Sequence, residues 1–229
     1  MVLAPSRGDG KEANFIQKFG RAFVRGDAFT KLSLLVWGLG YIGHGQLIKA
    51  LLVTLVQGLG LYFLGTSGIP ALKKLGTLGT VQMEMQFNPV TLKNEVNNYD
   101  NSFAILLLSV IAMVIIVSLV VAAMMVVQSN YLLQQQKAAG KKPNSFRQDI
   151  NCYLNEKFYV TLLTLPVLGV VVFTIVPLFI LIAVAFTNYD QQHMPPAALF
   201  TWVGLANFAS LFGGQSLSMT FSYAFGKVL

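Results

Sequence analysis

Two stretches of this sequence carry no charged side chain: everything between Asp100 and Lys137, and everything between Lys157 and Asp190. Each exceeds the roughly 20 apolar residues that a helix needs to cross a bilayer core. Inside lipid the backbone must satisfy its own hydrogen bonds, so runs of this length fold as helices. The rest of the composition agrees, with 55% hydrophobic residues, 11% charged and a mean hydropathy of +0.62 over 229 residues. A soluble enzyme domain is excluded. The expected fold class is all-α: a polytopic membrane protein with three complete transmembrane helices, the start of a fourth, and an interfacial amino-terminal helix.

The crossings are expected at Leu47 to Leu64, Ser102 to Val127 and Phe158 to Thr187. From Leu32 to Leu64 the chain is apolar apart from Lys49, but one straight helix of that length would measure about 50 Å against a core of ~30 Å. The glycines at 38, 40, 43 and 45, with His44, are expected to break it. Leu32 to Leu39 then reads as an interfacial or re-entrant segment, with Lys49 snorkelling at the start of the first crossing. Gly58, Gly60 and Gly65 permit close helix contact, and Ser118 and Ala122 have small-xxx-small spacing, although glycine is common in membrane helices and chance explains the second pair equally well. Between Gly65 and Asn101 lies a loop of zero net charge. The alternation through Val81, Met83, Met85 and Phe87 hints at a short strand or turn there. Ser129 to Lys157 reads as a hydrophilic connector, with Gly140 and Pro143 marking a turn.

Pro166 and Pro177 lie eleven residues apart in the third crossing, hence about 20° apart on an ideal helix. Aligned kinks suit a helix lining a moving pathway, while proline is also tolerated in ordinary bundles. These two are the candidate helix-kink residues. Beyond Thr187 comes a polar turn, Asn188 to Pro196, then an amphipathic aromatic stretch from Leu199 to Phe212, whose Phe200, Trp202, Phe208 and Phe212 suit the lipid-water boundary. From Leu217 the chain turns apolar and stops within thirteen residues, as expected of a fourth membrane helix cut short.

Orientation follows from Lys and Arg, which favour the cytoplasmic side. Six precede or occupy position 31 and five fall in the connector ending at Lys157. The loop between the first two crossings has three, and only Lys227 follows Thr187. The amino terminus is therefore expected inside, and the net charge of +7 reports topology rather than nucleic-acid binding. Phe15, Ile16, Phe19, Phe23 and Val24 alternate with basic residues at near-helical spacing, which fits either an amphipathic helix on an anionic membrane face or a solvated tail. No signal-peptide pattern precedes them.

Catalytic patterns are missing: there is no GxxxxGK[ST], GxSxG, HExxH or CxxC. The lone Cys152 has no neighbours at metal-ligand spacing, and His44 and His193 fall on opposite sides of the expected membrane. Neither a metal nor a cofactor is implied, and the chain is expected not to be an enzyme. Carboxylates are absent from all three crossings, which argues against proton coupling within this stretch.

The run Leu165-Pro-Val-Leu-Gly-Val-Val-Val-Phe-Thr-Ile-Val-Pro-Leu-Phe179, then Ala185-Phe-Thr-Asn188 and Phe200-Thr-Trp-Val-Gly-Leu-Ala-Asn-Phe208, resembles the opening of the permease core of binding-protein-dependent sugar importers. Lys31-Leu-Ser-Leu-Leu-Val-Trp-Gly-Leu-Gly40 and Gly45-Gln-Leu-Ile-Lys49 resemble the extra helices before that core in MalF-type maltodextrin permeases of Gram-positive bacteria. The resemblance implies a permease subunit of an ATP-driven maltose or maltodextrin importer in a cell membrane. Its implied partners are a second permease subunit, two cytoplasmic ATPase subunits and an extracellular sugar-binding lipoprotein, besides the lipid bilayer. The family's Glu-Ala-Ala loop, which docks into the ATPase, does not occur in this sequence, so no residue takes that role and the sugar-contacting residues stay unknown. The exterior stretch after Thr187 is too short for the large insertion of some enterobacterial relatives. On this reading the chain is an amino-terminal half, with a basic cytoplasmic segment (1–31), an amino-terminal membrane region (32–157) and the start of the permease core (158–229). The alternative is a small membrane scaffold or interaction protein with no transport activity.

Overall fold

The computed structural model describes residues 14–212 and 227. The expected fourth membrane helix from Leu217, and the first thirteen residues of the basic segment, lie outside the described residues. The described chain is helical apart from one small hairpin, and three of its helices are long and apolar enough to cross a membrane: Leu47–Lys74, Ser102–Ala138 and Phe158–Val184.

In chain order the elements are α1 (Phe15–Arg25), α2 (Ala28–Leu32), α3 (Trp37–Gly43), α4 (Leu47–Phe63), α5 (Ile69–Lys74), β1 (Met85–Asn88), β2 (Lys93–Val96), α6 (Ser102–Ala138), α7 (Phe146–Asn151), α8 (Phe158–Val170), α9 (Val176–Val184) and α10 (Ala206–Phe212). Wide π turns join α4 to α5 (Leu64–Gly68) and α8 to α9 (Val171–Ile175), and a third follows α7 (Cys152–Glu156). Strands β1 and β2 pair antiparallel, Met85 opposite Val96 and Asn88 opposite Lys93. The alternation at Met85 and Phe87 thus marks a real strand.

The ends of the crossings differ from their hydropathy limits, each for a local reason. The first runs ten residues past Leu64, because the π turn carries the helix through Pro70 and its last turn holds Lys73 and Lys74 against the helix carbonyl end. The second continues to Ala138, so the first part of the expected connector is helix. At 37 residues it is about 55 Å long, well beyond a ~30 Å core. It stops where Gly140 adopts a φ of 69° and Lys141 donates to the Gln136 carbonyl, a Schellman-type end. The third ends at Val184, where the Thr187 hydroxyl donates to the Val184 carbonyl at 2.8 Å. In the leading segment the glycines at 38, 40 and 43 do not break the chain. They lie on α3, and the break falls at His44 to Gln46.

Two compact units divide the chain. The first falls within Met1–Leu61 and Ile116–Thr161. Its core joins Trp37, Tyr41, Ala50, Val126 and Leu133. Gly38 faces the Ala50 carbonyl and Thr54, while Gly40 faces Asn130, so α3 presses backbone-close against its neighbours. Polar ties complete this unit. Trp37 N–H donates to the Gln57 side chain at 3.0 Å, Gln57 donates back to the Leu35 carbonyl at 2.7 Å, and Asp27 N–H donates to Gln134 at 2.9 Å. Lys49 does not snorkel freely: its ammonium pairs with Asp149 on α7, a helix whose start is fixed by a Ser145–Gln148 capping box.

The second unit falls within Tyr62–Ile115 and Leu162–Leu229. Its core joins Leu78, Ile105, Leu106, Val110, Ile180 and Phe200, with Val176, Ala183 and Val184 packed alongside. Helix contact is closest at Gly68, where an added methyl would lie 3.0 Å from the Ala112 Cβ, and not at Gly58 or Gly65, which face nothing within 4 Å. Gly60, in the first unit, does meet Leu119. Ser118 of the small-xxx-small pair is exposed, whereas Ala122 packs on the first unit's core.

Candidate functional site

The third crossing combines two prolines with a polar closure at its α9 end. A proline inside a helix loses a backbone donor and its ring collides with the carbonyl four residues back. At Pro177 the chain resolves this with the preceding π turn: the N–H of Val176 donates to the carbonyl of Val171, five residues back. Pro70 is accommodated in the same way, with Ile69 donating to Leu64. Pro166 stands inside α8 without such a turn. Because the π turn inserts about one residue into the helical register, Pro166 and Pro177 are offset by roughly 80°, not the ~20° of an uninterrupted helix.

Beyond α9 the aromatic stretch folds back as a latch. Thr187 bridges Trp202, Asn188 N–H donates to the Thr201 carbonyl at 3.1 Å, and Thr201 N–H donates to the Asn188 side chain at 2.6 Å. The N–H groups of Val203 and Gly204 both donate to the Phe186 carbonyl, at 2.9 and 3.1 Å, and Gly204 turns the chain with a φ of 61°. A helix end leaves carbonyls without partners. Asn207 supplies them, its amide donating to the carbonyls of Ala185 and Thr187 at 2.9 and 2.8 Å. Phe208 packs on Phe186 with ring centroids 5.3 Å apart.

The aromatic residues divide their work. Phe200 is fully buried, edge-on to Tyr189 at 5.4 Å, and its N–H donates to the Ser102 hydroxyl at 3.2 Å. This corrects its assignment to the lipid-water boundary. Trp202 is partly exposed and donates its indole N–H to the Leu75 carbonyl at 2.7 Å, an amphipathic use of the ring.

The segment receiving Trp202 is held by charge. The Lys74 ammonium donates to Asp100 at 2.5 Å, and the other carboxylate oxygen accepts from Thr80 N–H at 3.0 Å and Val81 N–H at 3.3 Å. The Lys74 hydrogen bond, followed by these amides, holds the Asp100 carboxyl below the ordinary aspartate range. Sequence reading missed this cluster and the Lys49–Asp149 pair. The available signal was an acid directly preceding a long uncharged run, although its lysine partner lies 26 residues away.

His44 sits 4.0 Å from Asp27, where burial holds its imidazole below the usual value ahead of the opposing pull of that carboxylate. His193 contacts Asp190 at 2.8 Å. Among the described residues no group of three His, Cys, Asp or Glu side chains gathers to hold a metal.

No protein-family model matches the chain, and no solved structure matches it. Among curated proteins it is 32% identical over 190 residues to the maltodextrin transport system permease protein MdxF of Bacillus subtilis, covering 82% of this chain and 40% of that protein. It is 45% identical over 75 residues to the maltodextrin transport system permease protein MalC of Streptococcus pneumoniae, covering 32% of this chain and 16% of that one. To the galactooligosaccharides transport system permease protein GanP of Bacillus subtilis it is 28% identical over 176 residues, 71% of this chain and 40% of GanP. The chain thus spans two fifths or less of the length of these relatives. With three membrane-length helices among the described residues, and 32% identity to MdxF across 82% of its length, the chain is a relative of the permease proteins of maltodextrin transport systems.

Proposed function

We propose that the chain forms part of the translocation pathway of an ATP-driven maltodextrin importer, as a non-catalytic, membrane-spanning permease subunit or a portion of one. The observation that carries this is the third crossing. It is latched at its α9 end by the 200–208 segment, yet only 6% of its most apolar window is buried. Such a surface is suited to further transmembrane helices of a permease pair. The functional division 1–31, 32–157 and 158–229 follows from the same reading.

The importer's further parts are a second permease subunit, two cytoplasmic ATPases and an extracellular sugar-binding lipoprotein. The host is a Gram-positive bacterium, in keeping with the Bacillus and Streptococcus relatives. The amino terminus is cytoplasmic, as the eleven Lys and Arg in the two inner segments favour. Pro166 and Pro177 act as kinks about which the third crossing adjusts during alternating access.

Uptake of labelled maltotriose decides the function: disrupting the coding sequence should abolish ATP-dependent uptake and reintroducing it should restore uptake. Unchanged uptake would favour the scaffold reading. Orientation is decided by an impermeant maleimide on intact cells in a Cys152→Ala background. Cysteine at Asn88 should react and cysteine at Lys141 should not, and the reverse pattern contradicts the topology.

A further inference from the structure

Helix α1 carries two stripes. Lys18, Arg21 and Arg25 fall within about 60° of arc, whereas Phe15, Ile16, Phe19 and Phe23 occupy another sector. Ala22, between the stripes, is buried, and Gln128 donates to the Phe15 carbonyl at 3.2 Å, so α1 lies against the residue-128 region of α6. There the basic stripe and α6 enclose a groove of about 350 Å³. Three cations line one side, and Gln128, Tyr131 and Gln135 line the other. Among the described residues no Asp or Glu lines it.

We infer that this groove binds the phosphate headgroup of an anionic phospholipid. Three cations lining one groove, with no carboxylate beside them among the described residues and faced by amide and phenol donors, make a site for a compact anion. Its depth selects the source. The groove begins at residue 128, immediately after the aliphatic run of α6 that ends at Val127, which is the headgroup level of any bilayer this helix spans. Met125, one turn to the apolar side on α6, is 56% exposed and offers surface for acyl chains, while Leu132 lines the groove itself. Ile16 and Phe23 are exposed on α1 as well, so one helix presents cations and membrane-seeking side chains together. The inference does not depend on the transport reading, and its failure would leave that reading untouched.

The test titrates the purified 229-residue chain in neutral detergent with dihexanoyl-phosphatidylglycerol, dihexanoyl-phosphatidylcholine or inorganic phosphate, read by native mass spectrometry. The glycerol lipid should bind well ahead of the other two. Arg21→Gln with Arg25→Gln should weaken it about 30-fold, the loss expected for two basic side chains at an anionic headgroup. Arg21→Lys with Arg25→Lys should retain binding, which separates charge from folding. Leu132→Glu, made on α6 at an exposed position, should weaken binding comparably without touching α1. Lys141→Gln with Lys142→Gln, outside the groove, should not. Three results overturn the assignment: equal binding of the two lipids, equal loss in the Lys141/Lys142 control, or inorganic phosphate binding as tightly as the glycerol lipid.

Discussion

The second and third crossings are built from the same aliphatic residues, yet 28% of the second's most apolar window is buried within the chain against 6% of the third's. Small residues account for the difference. Along α6, Ser109, Ala112, Ala122 and Ala123 let neighbours approach, and Gly68 and Gly60 stand opposite Ala112 and Leu119. In a membrane, association rests on such close packing, because lipid is as apolar as leucine. The third crossing has Gly169 with nothing within 4 Å, and Phe173 80% exposed. Apolarity therefore identifies a crossing, while its small residues identify what it packs on.

The largest effect should come from the residue that joins the third crossing to its latch. Phe200→Ala removes a fully buried ring and should cost about 3–5 kcal/mol of local stability. Hydrogen exchange at the Val203 and Gly204 amides checks it. Phe173→Ala, on the bare face, should change the isolated chain by less than about 0.5 kcal/mol.

Next in size, Asp100→Asn keeps the shape but removes the charge that Lys74 and two amides hold, at about 1–3 kcal/mol. Here pH dependence has a definite sign. The folded pKa of Asp100 is depressed, so its contribution is fully present above the unfolded value near 3.9 and is lost as pH falls through the folded one. Acid titration of exchange at Thr80 and Val81 should show protection falling only below about pH 4 in the wild type, and already absent in the variant. Asn207→Ala, which strips two carbonyls of their donor, should cost about 1–2 kcal/mol, read at the same latch amides.

The smallest pair has opposite signs. Gly68→Ala pushes a methyl to within 3.0 Å of Ala112 and should destabilise by about 1 kcal/mol. Gly169→Ala meets open space and should stabilise α8 by about 0.5–1 kcal/mol. Thermal unfolding of the two variants in one detergent compares them. If both shift the same way, small-residue packing does not distinguish the crossings.

The three membrane-length helices of the described residues were legible in the sequence because uncharged runs of that length have one solution in lipid. Their ends were not. Gln134 to Gln136 read as a polar connector although glutamine is a good helix former, and Pro70 lies beyond a hydropathy limit that its π turn carries the helix across. Helix α6 is apolar on every side, so no periodicity marked its buried face. Phe200 and Trp202 were indistinguishable as aromatics, and only the fold separates the buried ring from the boundary indole. Lys49 and Asp149, one hundred positions apart, meet only because the Ser145 cap turns α7 back toward α4. Of the candidate kink residues, the existence of Pro166 and Pro177 was legible, but their relative face was not, since it depends on the intervening π turn.

The measurement closest to the central claim is maltodextrin transport by the assembled importer carrying Pro177→Ala. Alanine restores a backbone donor and removes the reason for the π turn, while the helix should still insert. At equal protein level the transport rate should change by roughly 2- to 30-fold, the range of 0.5–2 kcal/mol of coupling between sites, and Leu178→Ala should change it less. Equal rates for wild type and Pro177→Ala would contradict a third crossing that adjusts about this kink, and would return Pro177 to a packing role.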